Sequence, residues 1–395
     1  MSTAAETMIA SEPKNRLSEG TPVDRRADID AKQLVIAGLL REVNCDGLLI
    51  LEPENFAWLT SGATARGVPY EQEQPALYYS PEQRWAIASN VDSQRLFDEE
   101  IDGLGFQLKE WPWHWGREQL LADLCQGRKV ACDVAFRDCT VVGDRLQALR
   151  RVHSPYEQAC LRAAGHLLSH ALEATCRTLT PRLTEREIAG QISHRLLHRG
   201  AQPLIISVAG DGRSAVYRHC GFTDVPVRRH AVLFASMRKY GLCVSASRSV
   251  CFDAPDPTLK KQHDAVSKIV ATYVASSWPD AGPREILGLG RRVYLITGFE
   301  HEWLGCPQGY ITGRRQVETL LMPQTDQLFQ AGWAVTWRAT AGAATSCDTF
   351  LITDKGPEWL TIPETWPLQR IRVQGADFLR PFIHERPREG GGEEA

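Results

Sequence analysis

Apolar positions along this chain switch between a helical and a strand period, and the switches sort it into elements. From Asp30, the spacing of Leu34, Val35, Leu39 and Leu40 predicts an amphipathic helix, and the apolar run Gly47 to Leu51 behind it predicts a buried strand. Strands at Ala76 to Tyr79 and Trp85 to Ser89, a helix over Ser93 to Ile101 and a strand at Lys129 to Val134 continue an alternating α/β pattern. Residues 1–27 are rich in Ser, Thr, Glu and Arg without periodicity and are expected to form a mobile tail.

The second half changes rhythm. A long helix is expected over Pro155 to Leu179, with Ser154 as N-cap, Pro155 at the first helical position and Glu157 at the third. The next, Thr184 to Leu197, opens on Thr184 with Glu187 three residues on, a capping box. Strands follow at Pro203 to Val208, Ala231 to Ser236 and Gly241 to Cys251, then helices over Leu259 to Ser277 and Arg284 to Thr297. Val335 to Ala339 and Thr349 to Thr353 read as the last strands, so two helix pairs should cover one antiparallel sheet. The expected organisation is a small α/β domain over 28–147, a larger α/β domain over 148–385 and a Gly- and Glu-rich tail over 386–395.

Composition narrows the classes. At 395 residues the chain can bury two cores, and 43% hydrophobic with 24% charged residues is ordinary for a globular protein. A net charge of -3 carries no polyanion-binding signature, so nucleic acid is not expected as a partner. No apolar run reaches the length of a membrane span, and the first residues lack the apolar core of a signal peptide. Eleven Cys, an odd number without a Cys-x-x-Cys pair, favour reduced thiols and a cytoplasmic setting.

Some groupings carry chemistry on their own. His166 with His170, and His194 with His198, stand four apart and could clamp a metal on a helix face, although solvated histidines are the plainer reading. The Gly-punctuated stretch Gln308 to Arg314 could bring backbone N–H groups to a ligand or be an ordinary turn. The aromatic run Trp111-Pro112-Trp113-His114-Trp115 suits core packing or a contact surface.

The segments Arg151-Val152-His153-Ser154-Pro155-Tyr156-Glu157, Val232-Leu233-Phe234, Gly241 to Val250, Gly332 to Arg338 and Ser346 to Thr353, in that order, resemble the pita-bread family of creatinase, prolidase, aminopeptidase P and methionine aminopeptidase. Glu54 to Gly62 resembles a segment of the creatinase N-terminal domain. The resemblance implies a creatinase-type N-terminal α/β domain, a C-terminal pita-bread domain and a homodimer. It also implies two metal ions held by two Asp, one His and two Glu. Those positions fall here on Phe234, Ser245, the region of Gln308, Arg338 and Cys347, so no metal or other cofactor is expected.

What remains at those positions suggests other chemistry. The resemblance places His219 where creatinase keeps a proton shuttle, and an imidazole can act as base and then acid near neutral pH. Arg338 could hold a carboxylate bidentately, seconded by Arg248, with Gln308 and Tyr310 as further substrate-binding candidates. The plainer alternatives are a loop His219 bonded to backbone, an Arg338 paired with Asp348 and an inert buried Cys347. Three functions stay open: a metal-independent hydrolase of C–N bonds acting on a small, carboxylate-bearing substrate or short peptide; a pseudoenzyme that binds a ligand or partner; and a metallo-aminopeptidase or Xaa-Pro dipeptidase.

Overall fold

The computed structural model describes residues 22–68 and 74–387, with side chains from residue 25. The contacts form two compact units, one running to Cys160 and including Tyr240–Leu242, the other built from Leu161–Lys239 and from Cys243 onward. Residues 22–27, placed in the N-terminal tail by composition, are the first turns of a helix. Residues 1–21 and 388–395, the remainder of the two expected tails, lie outside the described residues.

In the first unit the elements run α1 (Pro22–Val43), β1 (Gly47–Ile50), α2 (Pro53–Leu59), β2 (Ala76–Tyr79), β3 (Arg84–Ser89), α3 (Ser93–Arg95) with a wide turn Leu96–Glu100, β4 (Gln107–Trp111), α4 (Glu118–Cys125), β5 (Val130–Cys132), β6 (Thr140–Val141) and α5 (Gly143–Arg150). The six strands form one mixed sheet in the order β4-β3-β2-β1-β5-β6. Leu48, Ile50, Leu77 and Tyr79 enter one apolar core, while Leu49, Ala76, Tyr78 and Ile87 enter another. Period-two alternation thus sends each strand's side chains to opposite faces, and both faces are covered.

The buried stripe of α1 differs from the expected one. Ile29, Ile36, Leu39 and Leu40 face the core, whereas Leu34 and Val35 are exposed. Lys32 fills the missing place in the stripe, its Nζ bonded to Asp28, Trp58 O, Ser61 Oγ and Glu157 (2.6–3.0 Å). A charge can occupy a core position only with such partners. Gly62 sits at φ +122°, and a Cβ there would meet the Tyr240 carbonyl oxygen at 2.9 Å, so glycine is required.

The second unit begins inside α6 (Pro155–Thr178) and continues α7 (Glu185–His198), β7 (Gln202–Gly210), α8 (Arg213–Val216), β8 (His230–Lys239), β9 (Leu242–Phe252), α9 (Pro257–Ala275), α10 (Pro283–Thr297), β10 (Gly309–Thr312), β11 (Thr319–Leu320), β12 (Ala334–Ala341), β13 (Ala344–Thr353), β14 (Gly356–Trp359), β15 (Leu368–Val373), β16 (Ala376–Pro381) and β17 (His384–Arg386). Both expected N-termini form as reciprocal caps, Ser154 with Glu157 and Thr184 with Glu187.

The expected single antiparallel sheet is divided. One part has the order β17-β9-β8-β7, with β17 parallel to β9, and the other the order β11-β10-β12-β13-β14. Between them, side chains replace a continuous backbone ladder: Ser245 N–H donates to Thr349 Oγ1 (3.0 Å), Thr349 Oγ1 donates to Ser245 O (2.9 Å) and Cys347 N–H donates to Ser247 Oγ (2.8 Å). Helix α9 packs on β12 and β13, with α10 against α9. Tyr273 stacks on Trp337 there at 4.6 Å between ring centroids. Across the other part, α7 lies on β7, and Ser169 of α6 accepts from Arg248 of β9.

Candidate functional site

Five strands of the second unit supply the surroundings of one guanidinium. Arg338, in the middle of β12, is directly opposite Cys347 of β13, and its backbone N–H donates to the Gln308 carbonyl (2.8 Å). Its side chain rises over the Phe234 ring of β8 at 5.5 Å from the centroid. One nitrogen approaches His219 Nδ1 at 3.3 Å, and another donates to the Arg218 carbonyl oxygen. Beside them, the Tyr310 hydroxyl of β10 bonds Ser245 Oγ of β9 at 3.1 Å.

The loop that carries His219 is clamped from below. Arg218 donates to Ser214 O and Gly342 O (2.6 and 2.9 Å) and pairs with the buried Glu302, which also accepts from Gly342 N–H. A tight β12–β13 turn, a helix end and a buried ion pair therefore hold an exposed imidazole against Arg338. Neither Arg218 nor Glu302 stood out in the sequence, because the Arg218–Glu302 contact joins residues far apart along the chain.

Protonation follows from these surroundings. Because Arg338 can only donate, His219 Nδ1 must accept, so the ring is neutral and carries its proton on Nε2. Partial desolvation of the ring first, and the Arg338 charge second, push the His219 pKa below its ordinary value. Burial pushes the Cys347 thiol up to about 12, outweighing the opposing effect of Arg338, so the thiol stays protonated at neutral pH. Burial likewise pushes the Tyr310 phenol up to about 12 and keeps it a hydroxyl.

Two candidates stand apart from this cluster. Arg248 is buried on the other side of the sheet, donating to Asp348 (3.0 Å), Ser169 and Thr361 O. Asp348 also receives Arg380 (2.5 Å) and Thr361 Oγ1, so it pairs with Arg248 and Arg380 and leaves Arg338 alone. Cys347 and Asp348 are neighbours on a strand and point to opposite faces. The Gln308 amide accepts from Tyr273 and Tyr294 and donates to Cys306 O, so only its backbone carbonyl serves Arg338.

Metal ions do not suit these residues. Phe234 offers no donor, Arg338 brings a positive charge, Cys347 holds its proton, and Ser245 is left as a weak neutral ligand. Among the described residues, no group of three or more His, Cys, Asp or Glu side chains is arranged to hold a metal ion. The histidine pairs are engaged otherwise: His170 meets Glu364 at 3.0 Å, and His194 stacks on His198.

Comparison with known proteins agrees with this architecture. Residues 159–332 match metallopeptidase family M24. The matched residues run from inside α6 to the segment just before β12. Dipeptidase PepE from Mycobacterium ulcerans shares the fold with a TM-score of 0.70 at 16% identity, over 91% of this chain and 99% of that one. For the Xaa-Pro dipeptidase from Bacillus anthracis the figures are 0.68, 16%, 87% and 98%. The N-terminal domain of FACT complex subunit SPT16 from chickpea, Cicer arietinum, follows at 0.62, 11%, 86% and 96%. No curated protein sequence matches the chain. At such identities the structural likeness establishes the fold alone, here the creatinase-type N-terminal domain followed by the pita-bread domain.

Proposed function

We propose that this M24 protein is a metal-independent binding site for a small carboxylate-bearing ligand, such as a short peptide ending in proline, at the place of the family's metal centre. One observation carries the reading: Arg338 has no carboxylate partner among the described residues and is bonded to an imidazole and a carbonyl. A ligand carboxylate supplies the missing counter-charge, with the Nε2–H of His219 as a second donor. Cysteines that form no disulfide among the described residues accord with a cytoplasmic setting, and a homodimer follows from the family's assembly.

Hydrolysis of a C–N bond is the second reading, favoured by an exposed imidazole that stays neutral at pH 7. A carboxylate that draws Arg338 away frees Nδ1 as a base. Water then attacks the amide carbon as Nδ1 takes its proton, the C–N bond breaks and the leaving amine receives that proton. Retention of the fold without turnover is the pseudoenzyme form of the same site.

Calorimetric titration with Ala-Pro and with Ala-Pro amide tests the binding. The free acid should bind roughly 10- to 100-fold more tightly, the range for a charged hydrogen bond. Equal affinity for acid and amide would remove the role given to Arg338. Elemental analysis should find no stoichiometric divalent ion, whereas one or two Mn, Zn or Co ions per chain, lost with activity on chelation, would restore the metallopeptidase reading.

A further inference from the structure

Away from Arg338, a cavity of about 1160 Å³ opens between the α6–α7 connection, the start of β8 and the end of β17. Among the described residues, four arginines line it: Arg182, Arg228, Arg229 and Arg386. Arg386 is committed to the wall, donating to the Cys176 and Leu179 carbonyls at the end of α6. The other three are exposed, and among the described residues no ion pair engages them.

Asp211, the one carboxylate among the described lining residues, does not neutralise them by direct pairing. Asp211 spends both oxygens on the backbone N–H groups of Arg228, Arg229 and His230 (2.8–3.1 Å). That grip fixes the Arg228-Arg229 backbone while leaving both side chains uncommitted. Beside Val227, Arg182 is held at φ +82°, a conformation that costs a non-glycine residue energy, and its N–H donates to Val227 O (2.8 Å). The remaining lining is largely apolar, including Phe252 and three prolines.

We propose that this cavity binds a small metabolite carrying at least two negative charges on phosphate or carboxylate oxygens, its body resting on the apolar wall. Three guanidiniums without counter-ions repel one another, and a multivalent oxyanion relieves that repulsion through forked hydrogen bonds. The volume exceeds that of a lone ion and suits a metabolite. This site lies beyond the Arg338 reading and stands independently of it.

The test is calorimetric titration of the full chain at low ionic strength with pyrophosphate and, separately, with citrate. Saturable binding of at least one is expected, weakening roughly tenfold or more in the double variant Arg228→Gln/Arg229→Gln. That variant leaves the backbone N–H groups for Asp211, and circular dichroism verifies its fold. Preference for pyrophosphate assigns the natural ligand to phosphates, and preference for citrate to polycarboxylates. Arg338→Met should leave this binding unchanged. Failure of both probes to bind, or equal binding by the double variant, overturns the proposal.

Discussion

At the scale of single residues, the candidate site turns on two side chains of unlike character. Arg338 and Cys347 face each other across β12 and β13, and one is a fixed cation while the other is a protonated thiol. Arg338→Met keeps the length that covers Phe234 and removes the charge, so carboxylate binding should fall roughly 10- to 100-fold with little change in stability. Calorimetry with Ala-Pro checks it, and unaltered affinity would count against the site. The pH dependence has a definite sign. His219 is neutral in the free protein because partial desolvation and Arg338 depress its pKa. A bound carboxylate offsets the Arg338 charge and raises that pKa, so affinity should increase as pH falls below neutrality, with proton uptake on binding. Titrations in buffers of different ionisation enthalpy measure the uptake, and proton release would contradict the arrangement. Cys347, by contrast, should resist alkylation at pH 7 in the folded protein.

At the scale of elements, one glycine on α6 gives a test whose sign runs against propensity. Gly to Ala inside a helix ordinarily gains up to about 1 kcal/mol. At Gly165 an added Cβ would lie 2.1 Å from the Leu360 carbonyl oxygen, a backbone atom that cannot step aside. Gly165→Ala should therefore destabilise by about 1–3 kcal/mol, the range for overpacking, in urea unfolding. The close approach of α6 to this segment was invisible in the sequence, whereas both helix N-termini were legible because Ser154/Glu157 and Thr184/Glu187 are local signals. Strands β15 to β17 escaped for the opposite reason. Leu368–Val373 interleaves charged and apolar residues with little burial, and β17 earns its place by pairing with β9 from far along the chain. Long-range partnership also explains the site: the strands bearing Phe234, Ser245, Arg338 and Cys347 could be placed in order, but the commitment of Gln308 to two helix tyrosines and of Arg248 to Asp348 could not.

At the scale of the whole molecule, the exposed Trp113 and Trp115 sit beside a buried Trp111, so the aromatic run serves both core and surface. The proposed homodimer should scatter light as twice 44.1 kDa, and a monomer across a wide concentration range would contradict it.

Acid stability supplies a further global measurement, because two buried histidines of the second unit must stay neutral. His230 on β8 is depressed to about 4 and His263 on α9 to about 3, in both cases chiefly by burial. Gln369 Nε2 lies 3.2 Å from His263 Nδ1 and, as a donor, holds that ring neutral. Both folded pKa values lie below the unfolded value of about 6.5, so the unfolded chain binds the protons first. Their contribution is complete above pH 6.5 and is lost as pH falls towards 4 and 3. Since most carboxylates titrate near 4, the interval from pH 6.5 to 5 isolates the histidines, and unfolding free energy should drop there with a slope that steepens toward about 1.4 kcal/mol per pH unit for each histidine. Urea titrations at half-unit steps measure that slope. A double variant, His230→Leu/His263→Leu, should flatten it even if less stable overall, and a wild-type curve already flat across the interval would show that these rings are not held neutral by burial.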